Sequence, residues 1–235
     1  MAINVNEVYQ TVLFILNKEQ RGYLTPAEYN KIGTQVQLEI FEKYFEDLNQ
    51  QLRAPETDNE YADRIRTIED NIQIFETREE LTFTNGEFSA INIPEIHRLG
   101  TVQFEPAGIN PTELQQVTQR EYLEIQRSPI IKPTKKFPIV VRRSDNFLVY
   151  PSDITQDIIA YYIKKPSDIF WGYGIGAQGQ YIYDPQASNN FELSSIEQTE
   201  VILRILAYAG LVIRDPQIVQ AAAQMVGAED MNEKT

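Results

Sequence analysis

The residue types that could carry chemistry in this chain are few. There is one histidine, His97, and no cysteine. Disulfides, iron–sulfur clusters, thiolate zinc sites and cysteine nucleophiles are therefore excluded. One histidine also rules out a multi-histidine metal site and a two-histidine acid–base pair. The imidazole of His97 has a useful pKa. It stands, however, in Ile93-Pro94-Glu95-Ile96-His97-Arg98-Leu99, just ahead of a predicted strand, where a structural role is the expectation. Acidic side chains are plentiful: Glu76, Glu79 and Glu80 cluster, as do acids near 56–60. Two carboxylates held about 5–10 Å apart across a cleft can hydrolyse a glycoside. Carboxylates at polar helix ends are simply solvated, and a chain with 34 acidic residues clusters them by chance. No nucleophile elbow, dinucleotide fingerprint or HExxH pattern is present. The expectation is a protein that is not an enzyme, with no catalytic residue, no cofactor and no metal.

Two further stretches imitate sites. Residues 17–28 can be laid on the calcium-binding helix–loop–helix pattern, with Gly22 at the sixth position and Glu28 at the twelfth. Its fifth position is then Arg21, a guanidinium where a ligand oxygen belongs, and Thr25 and Glu28 are already explained as a helix cap. Residues 169–184 hold Trp171-Gly172-Tyr173-Gly174 with further glycines at 176 and 179. No Lys-Ser or Lys-Thr pair follows, so this is no phosphate loop. It is either a hairpin whose tryptophan packs on a β domain or an exposed contact loop, with Trp171 and Tyr173 as the candidate contact residues.

The elements that would position these residues follow from periodicity. The stretch 25–53 opens on Thr25-Pro26-Ala27-Glu28, a capping box with proline at the first helical position. It carries two apolar stripes: Tyr29, Ile32, Val36 and Ile40, then Leu38, Phe41, Phe45, Leu48 and Leu52. Two stripes require two covered surfaces. Either the second stripe is an interface in an assembly, or the helix is buried on two sides within one subunit. Residues 4–16 read as an earlier helix, 60–72 as a third. From about 81 the pattern alternates, with Asn85-Gly86 as a tight-turn signal. Strands are expected near 99–105, 137–142, 147–151 and 157–164, and Thr118-Gln119-Arg120-Glu121 caps a short helix. Ser194-Ser195-Ile196-Glu197 should cap a helix to about 213, apolar on most sides, and Asp215-Pro216 should restart a short one.

The predicted class is therefore α+β: a helical bundle built from the N- and C-terminal helices (1–80 and 191–235) with an inserted β-rich domain (81–190). At 235 residues and 42% hydrophobic the chain can bury a sizeable core. No apolar run approaches the ~18 residues of a membrane span and no signal-peptide pattern opens the sequence, so a soluble protein made in a cytoplasm is expected. The formal net charge of −13 argues against a nucleic-acid groove but suits a wall past which DNA slides.

Several segments together resemble a family. They are Leu16-Asn17-Lys18-Glu19-Gln20-Arg21-Gly22-Tyr23-Leu24-Thr25-Pro26 with Tyr29-Asn30, Trp171-Gly172-Tyr173, Asn190-Phe191-Glu192-Leu193, and Ile205-Leu206-Ala207-Tyr208-Ala209-Gly210-Leu211-Val212-Ile213-Arg214-Asp215. The chain resembles the ring or connector proteins of tailed double-stranded DNA phages, particularly crAss-like and related short-tailed types. The resemblance implies a head–tail adaptor: a homo-oligomeric ring, typically a dodecamer, docked on the portal protein and joined to other tail ring or hub proteins. Viral DNA would pass through its lumen without sequence-specific binding, and no membrane would be involved. It would be assembled in the host cytoplasm and reside in the virion. The motifs are structural, and the family supplies no functional residues to transfer. Two rival readings stand beside this one. A receptor- or carbohydrate-binding virion protein would use the loop 170–183, with several exposed aromatics converging in a groove. A glycan hydrolase would pair two acids in a cleft.

Overall fold

The computed structural model of the chain describes residues 2–18, 23–51, 59–89, 95–108, 110–128, 130–143, 146–213, 220 and 223–227. The fold is mixed α+β and divides into two compact units. One comprises residues 1–74 and 166–235, the other 75–165. The division falls at 75 and 165, and the glycine-rich aromatic loop thereby belongs to the helical unit.

In chain order the helical unit begins with β1 (Ala2–Ile3), α1 (Val5–Lys18), α2 (Pro26–Gln51) and α3 (Asn59–Gln73). Asn4 precedes α1, and its side-chain oxygen accepts from the N–H groups of Asn6 and Glu7. The Thr25 box forms as its letters require. Glu28 Oε2 accepts from Thr25 N–H at 2.9 Å, and Thr25 Oγ1 accepts from Glu28 N–H at 3.4 Å. The bonds from Thr25, hydroxyl and backbone alike, hold the Glu28 carboxyl below its ordinary range. Glu28 is thus committed to the cap. Residues 19–22 of the calcium lookalike lie outside the described residues.

The two stripes of α2 resolve unequally. Successive helical positions are about 100° apart, so Phe41 and Phe45 lie beside Ile40 and Tyr44 on one broad face. All four are buried, together with Tyr29 and Val36. Phe41 and Phe45 are consequently core residues and not interface residues. Leu38 and Leu48 are half-buried on the flank, and Leu52 lies outside the described residues. The covering elements are α3 and α5 (Gln198–Ile213), with β13 (Phe191–Ser194). Ile205 and Val201 of α5 are fully buried. β13 also pairs antiparallel with β1. Ser194 ends this strand, and its side chain makes no cap bond. A 3₁₀ turn over Ser195–Glu197 leads into α5 in place of the predicted cap. The helix predicted after Asp215 lies mostly outside the described residues.

The second unit contains β2 (Glu76–Glu80), β3 (Thr82–Thr84), β4 (Glu87–Ser89), β5 (Ile96–Phe104), β6 (Thr112–Glu113), β7 (Gln115–Gln116), α4 (Gln119–Arg127), β8 (Ile139–Arg143), β9 (Asn146–Tyr150) and β10 (Ile158–Lys164). They form a sheet β2-β10-β5-β6 and a sheet β3-β4-β9-β8-β7. Phe88, Phe147, Val102, Ile158 and Tyr162 share a core drawn from both sheets. Asn85 and Gly86 both take positive φ, 54° and 88°, as a two-residue hairpin turn demands. The Thr118 capping box forms, and Tyr122 of α4 stacks on Tyr150 at 4.1 Å. Glu76, Glu79 and Glu80, expected at a helix end, lie on the edge strand β2. The remaining strands, β11 (Tyr173–Ile175) and β12 (Tyr181–Tyr183), form a separate hairpin in the helical unit.

Candidate functional site

Among the described residues the chemistry-bearing side chains do not converge. Glu79 and Glu80 are adjacent on a strand and point to opposite faces of it, so they cannot face each other across a cleft. The acids at 56–58 lie outside the described residues. His97 is half-buried within β5. Among the described residues no group of three or more histidine, aspartate or glutamate side chains could hold a metal ion.

Convergence occurs instead around Trp171. Its N–H donates to Asn30 Oδ1 at 2.7 Å, and its carbonyl accepts from Asn30 Nδ2 at 3.4 Å. Its indole Nε1 donates to Asn6 Oδ1 at 3.0 Å. The ring lies 4.6 Å from Tyr9, which in turn lies 4.7 Å from Tyr29. Tyr29 donates its hydroxyl to the Val5 carbonyl and Tyr9 to the Leu24 carbonyl. Val5 N–H donates to Asn190 Oδ1 at 3.0 Å. Burial, first of all, pushes both phenols well above their ordinary pKa, for Tyr9 with help from the neighbouring Tyr23. They remain neutral donors throughout the pH range in which proteins fold. Trp171 thus packs on α1 and α2 of the helical unit, and at 5% exposure it is an anchor.

From this anchor the hairpin β11–β12 projects. Tyr173 and Tyr183 each stack alongside Trp171, at 5.9 and 5.5 Å, and Tyr173 is half-buried. Beyond them Ile175 is 74% exposed and Ile182 54%. The hairpin is fixed at its base by Gly172. Its N–H donates to Ser188 Oγ, and its carbonyl accepts from Asp184 N–H. An open groove of about 680 Å³ runs beside the hairpin, lined by Tyr9, Tyr23, Trp171, Tyr181 and Tyr183, with Asn6, Gln10 and Gln180 among its polar walls.

A second concavity, of about 440 Å³, follows α2 beside Leu38, Glu42, Glu46 and Asp47. Beneath it lies an ion network that periodicity does not reveal. Glu200, 3% exposed, accepts from Arg204 at 2.6 and 2.8 Å and from Lys43 at 3.3 Å. Glu39 accepts from the Tyr208 hydroxyl, whose pKa is raised first by that bond. Gln37, fully buried, donates to the Ser167 carbonyl and accepts from Glu192 N–H, tying α2 to the chain on both sides. These are structural roles: every buried polar group named here has its partner.

No protein-family model matches the chain, and no curated protein matches it.

Proposed function

We propose that this chain is a virion structural protein that forms a homo-oligomeric ring at the head–tail junction, docks on the portal and joins it to the tail. The helices from the two ends of the chain form the bundle of the ring, and the β-rich unit is inserted into it. The observation that carries this reading is the Trp171 node. Residues of three of the four resembling segments meet there, from Leu24 to Asn190 along the sequence: Leu24, Tyr29 and Asn30 from the first, Trp171 from the second, and Asn190 from the third. Trp171, bonded there, stacks with Tyr173 and Tyr183 of a hairpin that exposes Ile175 and Ile182. Motif residues that build a rigid mount for an apolar projection serve assembly better than turnover. The chain's formal net charge of −13 suits a channel past which DNA moves without adhesion.

Electron microscopy of the virion neck, with this chain located in the map, tests the reading. A closed ring around the DNA path is expected. Finding the chain as isolated fibres or as an internal ejected protein would end it. Charged replacements at Ile175 and Ile182 should block incorporation while the purified variants keep the wild-type melting temperature within a few degrees.

A further inference from the structure

Asn85-Gly86 is the only Asn-Gly pair in the sequence, and both residues are exposed. The pair makes the turn between β3 and β4, and it also carries a latent reaction. The backbone nitrogen that follows an asparagine can attack the side-chain carbonyl carbon and close a five-membered ring. A side chain on the attacking residue shields that nitrogen, and a hydrogen bond ties it down. Gly86 has no side chain, and none of the described residues beyond its chain neighbours comes within 4 Å of where a Cβ would stand. In a two-residue turn the closing bond belongs to the residue after the turn, here Glu87 opposite Thr84, so the Gly86 N–H lies outside the ladder.

The remaining obstacle is conformational. The turn holds Asn85 at φ 54°, and attack requires its backbone to leave that left-handed conformation. The hairpin opens cheaply. β3 and β4 pair over three residues each, and β3 is the edge of its sheet with all its side chains exposed. Short edge elements with few buried contacts open far more readily than the core. We propose that Asn85 is a site of spontaneous modification, where the chain converts its own amide to a carboxylate. Gly86 N bonds to Asn85 Cγ and gives its proton to solvent base, the Cγ–Nδ2 bond breaks, and ammonia leaves. Water, the one co-reactant, then opens the cyclic imide at either carbonyl and leaves aspartate or isoaspartate at position 85. Both products add a negative charge two residues from Glu87, which accepts from Asn146 Nδ2 at 2.8 Å and pairs with Arg143 at 3.6 Å. Isoaspartate also routes the main chain through the side chain, so the two-residue turn no longer closes. β3 then leaves β4, the contact of Phe83 with Phe88 is lost, and one side of β4 becomes an unpaired edge.

The full-length protein is incubated at physiological temperature, at neutral and at mildly alkaline pH, and followed by intact mass and peptide mapping. The expected result is a gain of about 1 Da, amide to acid, in the peptide that holds residue 85. The gain should be faster at the higher pH, because the nucleophile is the deprotonated nitrogen, and both acids should form. Asn85→Asp should show no such gain. Gly86→Ala should slow it at least about tenfold, by shielding the nitrogen. Alanine is strained at the φ of 88° that Gly86 adopts, so this variant is compared with the parent after unfolding in urea as well, where only the shielding differs. Three results overturn the proposal: no gain at residue 85 in the folded protein while the urea-unfolded chain reacts, a gain that maps only to other asparagines, or a gain at 85 that Gly86→Ala leaves unchanged in urea. None of them depends on whether the chain forms a ring.

Discussion

Glu200 is the side chain whose loss the helical unit should tolerate least. Its carboxylate is almost inaccessible and sits between Lys43 and Arg204, themselves only 14% and 18% exposed. Replacing such a pair with apolar residues can be neutral, but removing one partner leaves charge behind in a poorly solvated place. Glu200→Ala should therefore destabilise the protein by about 3 kcal/mol, measured as a lowered urea midpoint at unchanged slope. A cost below about 0.5 kcal/mol would mean that Lys43 and Arg204 relax into water and that the network is a surface feature. Neither Glu200 nor Gln37 was legible in the sequence. A polar letter within a helical pattern signals the solvent face, and only the tertiary partner, 157 residues away for Lys43 and Glu200, says otherwise. By contrast, Thr25 and Thr118 were legible, because a capping box is satisfied within four residues.

At the scale of elements the same division holds. The Asn85-Gly86 hairpin and the starts of α1 and α2 follow from local rules of turn geometry and capping. β2 and β13 do not. Glu76-Thr77-Arg78-Glu79-Glu80 has no apolar alternation because it is an edge strand with mostly exposed side chains, and its partner β10 supplies the apolar content. Ser194 looked like a helix cap because it precedes an apolar helix, but it is the last residue of a strand. Of the two readings of the second stripe of α2, burial within one subunit holds for Phe41 and Phe45. Phe41 and Phe45 join the first stripe in one wide buried face, since the helix is flanked by α3, α5 and β13 together. The hairpin at 173–183 shows how one backbone position controls an element. A Cβ on Gly172 would stand 2.8 Å from the Asp184 carbonyl oxygen and 2.9 Å from the backbone of Ala187. Backbone cannot yield as a flexible side chain can. Gly172→Ala should cost about 1–3 kcal/mol, and it should shift the Trp171 emission, because the tryptophan is the preceding residue. An unchanged spectrum and melting temperature would show that the hairpin base is loose.

For the whole molecule, the point of entry into the β-rich unit matters more than its strand count. The unit begins at Phe75 and ends at Lys165. Lys164 N–H donates to the Phe75 carbonyl at 3.0 Å, so the chain leaves the unit beside the point at which it arrived. A segment whose ends are bonded neighbours loses little loop-closure entropy when it is inserted into another fold, and as little is gained by cutting it out. It also has its own cores, one drawn from both sheets and one beneath α4. The fragment 75–165 should therefore fold alone, with a β-rich circular dichroism spectrum and a single cooperative melt. The complementary deletion, joining Ile74 to Pro166 by a short glycine linker, should keep the helical spectrum, because Asn30, Asn6, Gln37 and the Glu200 network all bond within the helical unit. Sequence composition pointed to such an insertion through the change from helical to alternating pattern near 81, but it could not place the seam at 75 and 165, since Phe75 reads equally as the last turn of a helix. If the fragment is unfolded while the full chain melts in one transition, the two units are not separable. The β-rich part would then depend on the helices for its stability, and the insertion view of this fold would fail.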